Sequence, residues 1–205
     1  MAYRSKNISI EDLILDDKNP RLPRSLHGKT QNEIIEYLLL EASTIELMQA
    51  IGENGYFPGE QLLVVEVEKQ KIKVIEGNRR LASVKLLQDP TLTRYKKHLV
   101  KKVHDEAKYK PKKIPCIIFD NEEDIRRYIG FRHITGIKSW GLSEKARYLS
   151  ELKNSTLKGE PLDTASYELA KIIGSRKDYV KRVLVGFEIY KIIEDEAFFQ
   201  IKNLD

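Results

Sequence analysis

Ten consecutive residues, Lys73-Val74-Ile75-Glu76-Gly77-Asn78-Arg79-Arg80-Leu81-Ala82, constrain the fold of this chain more than any other stretch. The β-branched pair Val74-Ile75 closes a strand, Gly77 turns the chain, and Arg79 to Leu87 reads as a helix. Glycine at such a turn admits a positive φ or a close approach of the backbone to a ligand. The helix then opens on two arginines. The first N–H groups of a helix favour an anion, so cations there oppose the helix dipole unless something neutralises them. Two readings resolve the conflict. A bound polyanion would satisfy the arginines, whose forked donors suit phosphate. Alternatively, the arginines pair with Glu76 or another carboxylate, and the turn is only a surface feature.

The flanking sequence extends the pattern in both directions. Ile8 to Leu15 reads as a short strand that runs into turn chemistry at Asp16-Asp17-Lys18-Asn19-Pro20, and Pro20 and Pro23 hold the next residues extended. Gln31 to Leu40 and Thr44 to Gly52 read as helices; Ile45, Met48 and Ile51 share one face of the second. Gln61 to Glu68 is a strand with Leu63, Val65 and Val67 alternating, and Ile72 to Ile75 is its hairpin partner. Residues 91–113 are lysine-rich and read as helix plus loop. Ile114 to Phe119 is a buried strand, and Asn121 caps a helix from Glu122 to Phe131 whose first turn is acidic. From Leu142 onward only helices are expected: one opening at Ser143-Glu144-Lys145 and running to Lys153, then Thr164 to Ile173, then Ser175 to about Phe199, the last two joined at Gly174. The boundary falls between Gly136 and Trp140, with Trp140 packing at the junction. This divides the chain into an α+β domain, residues 1–136, and an all-α domain, residues 137–205.

Charge sharpens the division. The net charge is +5, but residues 94–113 carry nine Lys and Arg against two acidic residues, and residues 126–191 carry fourteen against seven. The remainder is acidic, so the two basic segments have the distribution of phosphate-facing surfaces, with lysine-rich solvated helix as the plain alternative. With one cysteine, Cys116, no intrachain disulfide is possible and a reducing cytoplasm fits. No run approaches the length of a membrane span. His27, His98, His104 and His133 lack metal-ligand spacing, and no Ser-His-Asp arrangement emerges.

A second motif lies upstream of the glycine turn. Asn19-Pro20-Arg21-Leu22-Pro23-Arg24 has the form N-P-x-x-P-R, and Gly77 to Arg80 has the form G-x-R-R. Together, with two helices and a hairpin between them, they resemble the ParB/sulfiredoxin-like superfamily, specifically the ParB N-terminal domain, over roughly residues 7–135. The resemblance implies a pocket for a nucleoside triphosphate, CTP or ATP, with Mg2+. It assigns phosphate contacts to Arg24, Gly77, Arg79 and Arg80, with Asn19 holding the loop and Asn78 in the turn. The family's second motif has Glu where this chain has Asn78. The third family motif, E-N-x-x-R, has its nearest counterpart at Gly130-Phe131-Arg132-His133-Ile134, which brings Arg132 and His133 into the expected pocket. No carboxylate stands beside Arg132. The sulfiredoxin branch needs a cysteine in the glycine turn, so reductase activity is excluded.

The helical part has its own signature. Ala170, Gly174 and Val180 have the spacing of a helix-turn-helix: a small residue where helices meet, a glycine turn, and an apolar lock. Arg176, Lys177, Lys181 and Arg182 then fall on the outer face of the second helix, the face that meets DNA in this motif. A generic three-helix bundle with a basic surface is the alternative. ParB-like proteins commonly carry such a domain. The resemblance thus implies a cytoplasmic, bacterial or phage-related DNA-binding protein, acting with nucleotide, DNA and a second copy of itself, in plasmid partition or phage defence. A nuclease or an NTPase or kinase of a mobile-element or phage-defence system is the competing expectation. Phe187, Tyr190, Ile193 and Ala197 recur at helical spacing near the end, a stripe that is core or partner surface and that leads to the expectation of a longer protein.

Overall fold

Leu62-Leu63-Val64-Val65 is apolar without interruption, and the computed structural model shows why. It describes residues 3–19, 22–41, 43–67, 71–130 and 140–195, with backbone alone at positions 24, 41 and 193–195. These residues divide into two compact units, Met1–Gly136 and Ile137–Asp205. In the first, five strands form one mixed sheet: β1 (Tyr3–Ser9), β2 (Leu13–Leu15), β3 (Leu62–Glu66), β4 (Ile72–Glu76) and β5 (Lys113–Phe119), in the order β1-β5-β3-β4-β2. The outer strand β1 is antiparallel to β5, β5 parallel to β3, β3 antiparallel to β4, and β4 parallel to β2.

Both faces of this sheet are covered. Helices α1 (Gln31–Glu41), α2 (Thr44–Asn54), α3 (Asn78–Gln88) and α4 (Lys97–Glu106) supply Ile34, Leu39, Met48, Leu81, Leu87 and Val100 to one core, where they meet Leu62, Val64 and Val74. Helix α5 (Glu122–Gly130) covers the other face, where Ile125 is buried against Leu63, Val65, Ile75 and Phe119. Successive residues of β3 therefore enter opposite cores, and a strand buried on both sides has no polar face to alternate with. The alternation expected at Leu63, Val65 and Val67 is half of the pattern. Residues expected as one strand, Ile8 to Leu15, form the end of β1, a turn and β2. The turn is closed by the Asp12 amide donating to the Ser9 carbonyl at 3.1 Å. Asn121 caps α5 as its sequence suggests: its Oδ1 accepts from the Asp124 amide at 2.9 Å.

The second unit is helical throughout its described residues: α6 (Leu142–Thr156), α7 (Leu162–Ile173) and α8 (Lys177–Asp195). Ala146 and Leu149 of α6, Leu169 and Ala170 of α7, and Val180, Val183 and Leu184 of α8 form its core. Gly174 ends α7 in the left-handed region, φ 66°, and the amides of Gly174 and Ser175 both close on the Ala170 carbonyl. Trp140, expected to pack at a junction, is exposed and meets the Tyr148 ring edge-on at 5.4 Å. Phe187 and Tyr190 stack on each other, centroids 6.2 Å apart; Ala197 and the side chain of Ile193 lie outside the described residues. No described helix is long and apolar enough to cross a membrane.

Candidate functional site

The parallel pairing of β2 with β4 places Leu15 opposite Val74, so both strands deliver the chain to the same end of the sheet. This brings the Asn19 loop beside the Gly77 turn, although 57 residues, 20 to 76, separate them in the sequence. Two amide side chains fasten the junction. Asn78 Oδ1 accepts from the Asp16 amide at 2.9 Å, while its Nδ2 donates to the Val74 carbonyl at 2.8 Å and the Ile75 carbonyl at 3.4 Å. Asn19 Nδ2 donates to the same Ile75 carbonyl at 3.4 Å. Both side chains are buried. Asn78 was expected to meet a nucleotide; its side chain instead faces into the protein, where its donor and acceptor tie the loop to the strand.

Gly77 itself is confined twice over. Its φ of 103° lies in the left-handed region, and a Cβ built on it would meet Leu62 Cδ2 at 2.3 Å. The Leu81 amide donates to the Gly77 carbonyl at 3.0 Å as α3 begins, and no side chain caps the helix start. That leaves a helix start of the kind that receives anions.

The two arginines that follow differ. Arg80 is only 12% exposed. Its Nη1 donates to the Glu60 carbonyl at 2.6 Å and to Glu60 Oε2 at 2.7 Å, and its Nη2 lies 3.6 Å from Glu76 Oε1. Tyr56 joins this brace, its hydroxyl donating to the same Glu60 carbonyl at 2.7 Å. Burial pushes the Tyr56 hydroxyl well above its ordinary value of 10.0, against the opposing pull of the Arg80 charge. For Arg80, the carboxylate-pairing reading is therefore realised. Arg79 is half-buried at the second helical position, and its carbonyl accepts from Ser83 Oγ at 3.0 Å. Arg24 opens a single 3-10 turn, Arg24–Leu26, but its side chain lies outside what is described, as do Pro20, Arg21, Arg132 and His133.

Sequence reasoning missed a charged cluster beside this turn. Asp16 is buried, and its Oδ1 accepts from the Lys18 amide at 3.0 Å. Lys73 on β4 forms an ion pair with Glu122 on α5, and both act on Asp16. Burial raises the Asp16 carboxyl above its ordinary value of 3.8, with the Lys18 amide and Lys73 working against it. Glu122 is shifted the other way: burial would raise it, but its bonds to Lys73 and Arg126 outweigh that and lower it. For Asp16 the folded protein holds the proton more tightly than the unfolded chain. Its contribution to stability is therefore full below pH 3.8 and is lost as pH rises through the raised value. Asp16→Asn, which keeps an acceptor for the Lys18 amide and cannot ionise, is expected to raise Tm near neutral pH. The gain should vanish in acid, as thermal unfolding across that range would show. An equal gain at all pH values would remove ionisation as its cause.

Cys116 is buried in β5, and burial pushes its thiol up to about 12, as suits a structural rather than a reactive thiol. Among the described residues, no group of three or more His, Cys, Asp or Glu side chains could hold a metal ion.

On the helical unit, Arg176, Lys177, Lys181 and Arg182 are exposed on or beside the start of α8. They pair with acidic neighbours: Lys177 and Lys181 with Asp163, Arg176 and Arg182 with Asp178. The bonds from Lys177 and then Lys181 lower the Asp163 carboxyl. Pairs this exposed are screened by solvent and hold their partners only weakly.

The chain matches no protein-family model and no curated protein. Its structure is similar to the crystal structure of the C-terminally truncated chromosome-partitioning protein ParB from Caulobacter crescentus complexed with CTP-γ-S. The TM-score is 0.54 at 15% sequence identity, over 88% of this chain and 77% of that one. The fold is ParB-like. At that identity the likeness establishes the fold and leaves the ligand to be argued from the residues. Within the ParB-like fold of this chain, Asn19, Gly77, Asn78, Arg79 and Arg80 come together at one end of the sheet, with Asp16 and Glu60 as neighbours.

Proposed function

We propose that this chain is a DNA-binding protein whose N-terminal unit holds a nucleoside triphosphate, CTP or ATP with Mg2+, and whose helical unit is a helix-turn-helix that binds duplex DNA. The observation that carries the reading is the uncapped start of α3 at Gly77, buttressed by the Asn19 loop, on a fold like that of a ParB complexed with a CTP analogue. The chemistry fits a phosphate group: backbone N–H donors at a helix start, an arginine in the first turn, and a glycine that no side chain can replace. Arg79 would contact phosphate, Arg80 would brace the turn, and Asn19 and Asn78 would fix its shape. Arg24, Arg132 and His133 complete the pocket by resemblance. Mg2+ commonly binds through substrate phosphates with one or two carboxylates, so it needs no protein cage here.

The α7–Gly174–α8 geometry supports the DNA half, with Arg176, Lys177, Lys181 and Arg182 outward and Val180 buried. Calorimetric titration of CTP, ATP and GTP with Mg2+ tests the nucleotide half. One of them should bind saturably, and Arg79→Ala should weaken it by about 10- to 150-fold, the worth of a charge-assisted hydrogen bond of roughly 1.5–3 kcal/mol. Failure of all three to bind overturns the reading. Duplex affinity should fall steeply with salt, and each α8 lysine removed should reduce the slope of log K against log salt by about 0.9.

A further inference from the structure

The basic segment 94–113 has no part in that reading. Four of its nine cations are tied to carboxylates: Arg94 clasps Glu36, Lys101 and Lys102 pair along α4 with Asp105 and Glu106, and Lys108 pairs with Glu53. Lys110 and Lys113 are exposed and belong to no such pair among the described residues; the Lys110 ammonium lies 3.1 Å from His104 Nε2. Both line a groove of about 440 Å³ together with Asn7, Tyr56, Tyr109 and Pro115, and among the described residues no carboxylate lines it. That volume lies within the range of small-ligand pockets.

The loop carrying these residues is held rigidly. The Tyr109 amide donates to the Gly52 carbonyl at 2.9 Å. Gln88 Nε2 donates to the Lys110 carbonyl at 2.6 Å and the Pro111 carbonyl at 3.1 Å, and the Ile10 amide donates to the Lys112 carbonyl at 3.1 Å. The Tyr109 ring packs over Gly55, where an added Cβ would lie 3.7 Å from it, yet Tyr109 is 53% exposed. A fixed backbone thus presents an open aromatic ring in a groove that Lys110 and Lys113 also line.

We propose that this groove binds single-stranded nucleic acid, with an unpaired base stacked on Tyr109 and flanking phosphates at Lys110 and Lys113. Aromatic rings interleaved with lysines are the working parts of single-strand grooves, and the absence of carboxylates leaves the phosphate charge unopposed. A duplex hides its base faces and would use only the lysines; an acidic peptide would have no base to stack. Neither Arg79 nor any α8 cation lines this groove, so the inference stands whether or not the nucleotide reading does.

The test is fluorescence anisotropy of the full chain with a labelled short oligothymidylate, a duplex of equal length and a polyglutamate peptide. Oligothymidylate should bind more tightly than the peptide. Tyr109→Ala should weaken it by about 5- to 150-fold, the worth of one stacked base, while Tyr109→Phe retains it. The exposed pair Lys110→Gln/Lys113→Gln should reduce the salt slope by about 1.4, which reads the groove even if Tyr109→Ala fails to fold. Unchanged oligothymidylate affinity and slope in the lysine pair, or tighter binding of polyglutamate, overturns the proposal.

Discussion

Gly77→Ala is expected to lower the unfolding free energy by about 2–6 kcal/mol, summing roughly 1–3 for a non-glycine residue held at positive φ and roughly 1–3 for overpacking. The second contribution comes from Leu62, whose Cδ2 would stand 2.3 Å from the new methyl group. Leu62 is fully buried in the main core, so its side chain has no solvent into which to retreat. Urea unfolding followed by circular dichroism measures the loss. A cycle with Leu62→Ala separates the two causes. If the clash contributes, the double variant will be more stable than the sum of the singles predicts, by about 0.5–3 kcal/mol. If the losses simply add, the backbone conformation alone forbids alanine.

That result bears on why the glycine turn was so legible in the sequence. Gly77 and the strand before it are local features: a β-branched pair, a glycine and a helix former announce a strand–turn–helix whatever the rest of the chain does. The same locality made the α5 cap readable at Asn121 and the α7–α8 turn readable at Gly174. What sequence could not carry was long-range. The parallel register of β2 on β4 decides that Asp16 and Asn19 meet the turn, and a three-residue strand leaves almost no periodicity to read. The same holds for β3, where two cores each take alternate residues, so that a pattern read as one face is in fact two.

The chemistry of the site divides along the same line. Arginine in the first turn of α3 violates a local preference, and local reasoning identifies the violation but not its resolution. The resolution at Arg80 is Glu60, in a loop with no motif of its own, and Glu76, four residues back at the end of β4. The resolution at Asn78 is the backbone of Asp16, sixty-two residues away. One motif therefore holds two kinds of residue. Gly77, Asn78 and Arg80 build the turn, and the phosphate contact proposed above falls to Arg79, the second residue of α3.

Arg80→Ala should accordingly act on the fold before it acts on any ligand. It removes a donor to the Glu60 carbonyl, which Tyr56 also serves, and to the Glu60 carboxylate, and a cation beside Glu76, a side chain only 15% exposed. Breaking a fully buried pair costs roughly 3–5 kcal/mol; because the Glu60 side chain is half exposed and partly screened, about 2–4 is expected here. Arg80→Lys should recover little of this, since a single ammonium cannot reach both glutamates with the geometry of the guanidinium fork. Urea unfolding of the nucleotide-free protein is the decisive measurement. Loss of stability without nucleotide identifies Arg80 as the brace of the turn. An Arg80→Ala protein as stable as its parent that no longer takes up nucleotide would make Arg80 a ligand arm, and the contacts to Glu60 and Glu76 would then be the resting position it leaves on binding.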